Sequence, residues 1–105
     1  MADLEARIRE LWDHRDDLDP ADPDARAAVD EAIELLDRGE VRVAELVGDG
    51  TVVVHEWLKQ AILLLFKISA MDTVELGPFE YADKVPLKSG YQAAGVRAVP
   101  GASAR

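Results

Sequence analysis

The stretch Thr51-Val-Val-Val-His-Glu-Trp-Leu-Lys-Gln-Ala-Ile-Leu-Leu-Leu-Phe-Lys67 constrains this chain more than any other. Three valines in a row lead almost directly into a segment that is apolar on nearly every side when wound at helical pitch. A surface helix shows a single apolar stripe, whereas one that is apolar all round must be surrounded by protein. Residues 51–54 therefore read as a strand, and about His55 to Ala70 as a buried central helix on which the rest of the chain packs. Trp57 and Phe66 belong to that core by their spacing, as does Trp12 upstream.

The flanks supply the packing partners. Leu4, Ile8, Leu11 and Trp12 recur at i, i+4, i+7 and i+8, which predicts an amphipathic helix over roughly residues 3–17. Asp19-Pro-Ala-Asp-Pro-Asp24 breaks it. Asp22 followed by Pro23 is an N-cap with proline at the first helical position, and Asp24 suits the positive helix start. This second helix runs to about Arg38, with Val29, Ile33 and Leu36 on one face and Ala28, Ala32 and Leu35 widening it. Gly39 is its stop. Val41, Val43 and Val47, interleaved with Arg42 and Glu45, then read as a strand, and Gly48-Asp-Gly50 turns the chain into Thr51–Val54 as a hairpin.

Beyond the central helix the pattern becomes irregular. Gly77-Pro78, Pro86, Ser89-Gly90, Gly95 and Pro100-Gly101 punctuate every few residues. Val85-Pro-Leu-Lys88 and Val96–Val99 read as extended segments without local partners. The expected fold class is α+β: two N-terminal helices, a β-hairpin, a buried central helix and an extended C-terminal tail. Residues 89–105 read as a connection toward something the chain does not contain.

The chain is 105 residues long with a formal net charge of −9, enough for one domain with a modest core. The charge is unevenly placed. Residues 1–40 hold 14 acids and 5 bases, whereas residues 82–105 hold Lys84, Lys88, Arg97 and Arg105 against Asp83 alone. The overall balance argues against nucleic acid and anionic membrane as partners. The basic end is where a small anion fits, although charge blocks are more often plain surface. There is no cysteine, no signal-peptide pattern at the N-terminus, and the longest apolar run, Ala61–Phe66, is too short to span a bilayer. A cytoplasmic location is expected.

Few residues carry chemistry. His55 opens the central helix beside Glu56, either as a general base or as a residue bonded locally, and no partner constellation supports the first. His14 lies among Asp13, Arg15, Asp16 and Asp17 as a solvated residue. Two histidines and no cysteine give no metal-ligand spacing, and the acidic clusters lack the calcium-loop pattern. Gly48-Asp-Gly50 lies between strands, so it is no phosphate loop. Tyr81, Asp83, Lys84 and Lys88 gather polar groups around Pro86, either as a solvated edge segment or as part of a site. Arg97 stands between Val96 and Ala98, and such a guanidinium calls for a carboxylate, internal or from a ligand. The residues assemble no catalytic set.

Four segments in order carry a resemblance: Ala32-Ile-Glu-Leu-Leu-Asp-Arg-Gly-Glu-Val-Arg-Val-Ala-Glu45, Val54–Lys67, Tyr81-Ala-Asp-Lys-Val-Pro-Leu-Lys88 and Gly95-Val-Arg-Ala-Val-Pro100. Together they resemble the N-terminal domain of the tetrahydrodipicolinate N-succinyltransferase family. The resemblance implies that residues 1–105 are an α+β domain preceding a left-handed parallel β-helix of hexapeptide repeats, a domain absent after Arg105. It implies a homotrimer that transfers succinyl from succinyl-coenzyme A to ring-opened tetrahydrodipicolinate in the diaminopimelate–lysine route. It implies that Arg97, in the family's Gly-x-Arg-x-Val-Pro segment, binds the dicarboxylate acceptor. Arg105 aligns with a family arginine to which no role is assigned. The domain is expected to bind no cofactor itself, succinyl-coenzyme A being a co-substrate of the full enzyme. This chain alone is expected to be catalytically incomplete. The alternative is a free-standing interaction or regulatory domain that keeps the fold without the chemistry.

Overall fold

The structure, a computed structural model, describes residues 2–104 and falls into two units, one ending at Ser69 and one beginning at Ala70. The first unit contains α1 (Ala2–Asp13), a 3-10 turn (Arg15–Asp17), α2 (Pro23–Asp37), β1 (Ala44–Leu46), β2 (Val52–Val54) and α3 (Glu56–Ile68). Its core joins Leu4, Ile8 and Leu11 of α1 to Ala25, Ala28, Val29 and Ala32 of α2, and both to α3. Ile8, Val29, Leu58 and Leu64 are its largest fully buried side chains. Each contributes about 1.5–3 kcal/mol by leaving water. The α+β class and the order of these elements are as the sequence implied.

The boundaries have local causes. Helix α1 stops at Asp13, short of the expected 17, because after Trp12 the apolar stripe has nothing more to bury until Leu18. Its last carbonyls are met by side chains. His14 Nδ1 donates to the Glu10 carbonyl at 3.0 Å and Arg15 Nη1 to that of Trp12 at 2.9 Å. The Arg15 guanidinium lies over the Trp12 ring, 4.3 Å from its centroid, and Trp12 packs half-buried against the core. Helix α2 begins as expected, with Asp22 accepting from the Asp24 N–H at 3.0 Å and Pro23 at the first helical position. It ends in a Schellman closure: the Gly39 N–H donates to Leu36 O at 3.1 Å and the Glu40 N–H to Leu35 O at 3.0 Å. Gly39, at φ +75°, supplies the left-handed residue this closure needs.

Two expectations are corrected here. The buried face of α2 is its small one, Ala25, Ala28, Val29 and Ala32, while Ile33, Leu35 and Leu36 are only half-buried. Small side chains let the α3 backbone come close, and the larger residues border that contact. Helix α3 buries Trp57, Leu58, Ala61, Leu64, Leu65 and Ile68, yet Leu63 is 42 % and Phe66 40 % exposed. A helix apolar on nearly every side is thus covered only on the side facing α1 and α2, and Phe66 is not core. At its end, Ser69 Oγ accepts from Arg26 Nη1 at 3.1 Å, and Arg26 also pairs with Asp30, tying the start of α2 to the end of α3.

The paired part of the first hairpin is shorter than expected. Strand pairing joins Ala44–Leu46 to Val52–Val54, with Glu45 opposite Val53, and single backbone bonds continue it at the ends, His55 N–H to Val43 O and Val47 N–H to Thr51 O. Val41 and Val43 turn inward and pack against the core instead. The Gly48-Asp49-Gly50 loop closes through the Gly50 N–H to Val47 O at 2.9 Å, with Gly50 left-handed at φ +85°.

The second unit carries more local structure than the punctuation of its sequence implied. Strands β3 (Asp72–Leu76) and β4 (Phe79–Asp83) pair antiparallel across Gly77-Pro78. Proline cannot take a positive φ, so a two-residue loop here must be type II′ with glycine first, and Gly77 indeed lies at φ +60°. The register puts Val74 opposite Tyr81 and Leu76 opposite Phe79 on one face, and Glu75 opposite Glu80 on the other. Residues 88–104 then form a loop tied at its feet, the Lys88 N–H donating to Ala104 O at 2.7 Å.

Candidate functional site

In the first unit, His55 Nε2 and Glu45 Oε1 are 2.7 Å apart, with both side chains part-exposed. The hairpin explains the pairing. Glu45 sits opposite Val53, and His55, two residues on, is its diagonal neighbour on the same face. The His55 N–H also donates to Val43 O at 2.7 Å, fixing where α3 starts. The pair lines a cleft of about 370 Å³ together with Glu40, Arg42, Trp57 and Leu58. Among the described residues, no serine, threonine, cysteine or lysine lines the cleft, so the pair has no side-chain nucleophile beside it. His55 is a fastening between hairpin and helix. His14, likewise, is bonded to its own helix. Glu45 as the partner of His55 was missed in the sequence, although the turn length fixes the register that brings them together.

In the second unit, the candidates distribute unevenly. Tyr81 is exposed on the apolar face of the hairpin, Asp83 ends β4, and Asp83 Oδ1 accepts from the Lys84 N–H at 2.7 Å. Asp83, Lys84 and Lys88 are each engaged in an interaction within the chain. Arg97 is different. It is exposed, and among the described residues no hydrogen bond or ion pair holds its guanidinium. Of the two partners the sequence left open, no internal carboxylate pairs with it among the described residues. Arg105 lies outside the described residues.

The backbone around Arg97 is well tied. Ala94 donates to Gly90 O at 3.1 Å, Gly95 to Gln92 O at 3.1 Å and Val96 to Tyr91 O at 2.8 Å, which closes a single helical turn over residues 90–96. Past Arg97, the Ala102 N–H donates to Val99 O at 3.0 Å across Pro100 and Gly101, the latter at φ +92°. Proline then left-handed glycine is the type II arrangement. Arg97 thus projects from a short stretch between two hydrogen-bonded turns. Such a presentation suits bidentate recognition of a carboxylate by a planar guanidinium.

The family described as Tetrahydrodipicolinate N-succinyltransferase N-terminal matches residues 3–68, well over half the chain. The chain belongs to this family. The matched span takes in α1, α2, the first hairpin and α3, so the family signature and the first unit nearly coincide. Similarity to whole proteins reaches further. The chain is 43% identical to the 2,3,4,5-tetrahydropyridine-2,6-dicarboxylate N-succinyltransferase of Aeromonas hydrophila, over 100% of this chain and 41% of that protein. It is 45% identical to the protein of that name from Rhodopseudomonas palustris, again over 100% of this chain and 41% of the relative. The Methylorubrum extorquens protein is 46% identical over 99% of this chain and 40% of its own length. The chain spans about 41% of the length of these curated relatives. Among the described residues, no helix is long and apolar enough to cross a membrane.

Proposed function

We propose that this chain is the N-terminal part of an enzyme that transfers a succinyl group from succinyl-coenzyme A to a tetrahydropyridine dicarboxylate in diaminopimelate and lysine biosynthesis. The observation that carries this reading is the likeness along the whole chain to relatives whose name specifies both the acceptor and the reaction. Within it, Arg97 is the acceptor-binding residue. Its exposed guanidinium, without a hydrogen bond or ion pair among the described residues, and its place between two fixed turns support that role. A doubly hydrogen-bonded guanidinium–carboxylate contact neutralises one acceptor charge and orients the ring, and the arginine moves no proton. The co-substrate is succinyl-coenzyme A, the assembly a homotrimer and the compartment the cytoplasm. The 105 residues alone are expected to turn over no substrate, since they span only about 41% of the relatives' length.

The test is a chimera in which this chain replaces the part of the Aeromonas hydrophila enzyme that it matches. Succinylation of the acceptor is followed by release of free coenzyme A thiol. Turnover within about tenfold of the parent supports the proposal. A folded chimera that binds neither substrate supports instead the reading of an interaction domain that has lost the chemistry.

A further inference from the structure

The helical turn that precedes Arg97 closes on a left-handed residue. The pairing of Gly95 N–H with Gln92 O and of Val96 N–H with Tyr91 O closes a helical turn only when the residue at position 95 has a positive φ, and Gly95 lies at φ +74°. Glycine there is not needed to make room. A Cβ built on Gly95 meets no atom within 4 Å, so the backbone conformation itself is what demands glycine. Arg97 follows two residues later, is exposed, and has no side-chain hydrogen bond or ion pair among the described residues. The direction in which its side chain leaves the chain is therefore set by the backbone, and the backbone by this closure on one side and by the Pro100-Gly101 turn on the other.

We propose that Gly95 is a positioning residue for the dicarboxylate acceptor: its left-handed conformation aims the Arg97 guanidinium, although Gly95 itself touches no substrate. The inference rests on the reading of Arg97 as the acceptor-binding residue. It goes beyond that reading in assigning the specificity of the contact to a backbone conformation rather than to a network of side chains.

Gly95→Ala and Gly95→Asn separate the possibilities. Alanine disfavours the left-handed region, whereas asparagine visits it more readily. In the 105-residue chain, 15N relaxation should show the Arg97 amide losing order in Gly95→Ala and keeping it in Gly95→Asn. In the chimera described above, Gly95→Ala should raise the acceptor KM roughly five- to thirtyfold, the population factor that left-handed strain imposes on a residue with a Cβ. The KM for succinyl-coenzyme A and kcat should stay within twofold, and Gly95→Asn should restore most of the acceptor KM. An Arg97 amide equally ordered in Gly95→Ala, with unchanged acceptor KM, would overturn the inference. So would an equal loss in both KM values and kcat, which marks general damage. Failure of the underlying reading looks different: Arg97→Ala then leaves the acceptor KM unchanged whatever stands at 95.

Discussion

Leu63 and Leu64 are adjacent on α3 and differ almost only in what covers them. Leu64 is 0 % exposed and Leu63 is 42 % exposed. Replacing either by alanine changes helix propensity equally, so the difference between the two variants isolates burial. Leu64→Ala deletes three buried carbons, about 2.4 kcal/mol at roughly 0.8 kcal/mol for each. The void left between α3 and its neighbours raises the cost toward about 5 kcal/mol if the helices do not collapse into it. Leu63→Ala should cost under about 1 kcal/mol, because its side chain is already largely in water. At about 0.05–0.15 kcal/mol per residue, a unit of this size has on the order of 3–10 kcal/mol in total, so Leu64→Ala removes a large share of it. Urea denaturation followed by the buried Trp57 and by far-ultraviolet circular dichroism measures both variants. With a slope of about 1.5 kcal/mol/M, a loss of 3 kcal/mol lowers the midpoint by about 2 M. Equal midpoints for the two variants would refute the one-sided packing of α3 and restore the expectation of a helix enclosed all round.

Other consequences follow from single hydrogen bonds. Asp22→Ala removes the N-cap of α2 and should destabilise the first unit by about 1 kcal/mol, measured by the same denaturation. In the hairpin loop, the Thr51 side chain and its N–H, the latter 2.9 Å from Asp49 Oδ1, hold the Asp49 carboxyl below its ordinary value of 3.8. A depressed folded value means that its small stabilisation is complete above the ordinary carboxyl range and is lost as pH falls through the folded value. Thr51→Val should therefore move the Asp49 titration upward when followed by carboxyl 13C chemical shifts, and no movement would refute the assignment. Glu45→Gln should loosen the start of α3 with little loss of global stability, since the His55–Glu45 pair is part-exposed. Faster amide exchange confined to residues 55–58 is the expected signature.

The physical reasons for what the sequence disclosed differ by element. The start of α2 was legible because Asp22-Pro23 and Gly39 are local chemistry that acts the same in any context. The first hairpin was legible because its loop holds a left-handed glycine between two valine-rich runs. The second hairpin was hidden. Gly77-Pro78 resembles a break, yet Val74 and Leu76 alternate with Glu75 on one side of it, and Phe79 and Tyr81 with Glu80 on the other. The exposed side of α3 was not legible at all, because hydrophobicity says what a helix would bury and not what the chain has available to cover it. Arg97 stands out in the sequence for lying in an apolar stretch. An apolar stretch implies burial, yet Val96 and Val99 beside it are exposed. The turns that frame Arg97 were in plain sight as Gly95 and Pro100-Gly101, but were read as punctuation rather than as closures.

Isothermal calorimetry of the chimera with pyridine-2,6-dicarboxylate, a planar stand-in for the acceptor, should give a saturable isotherm that Arg97→Ala weakens by about ten- to a hundredfold, as expected for losing a charged hydrogen-bonded contact worth about 1.5–3 kcal/mol. Affinity unchanged by Arg97→Ala would contradict the account.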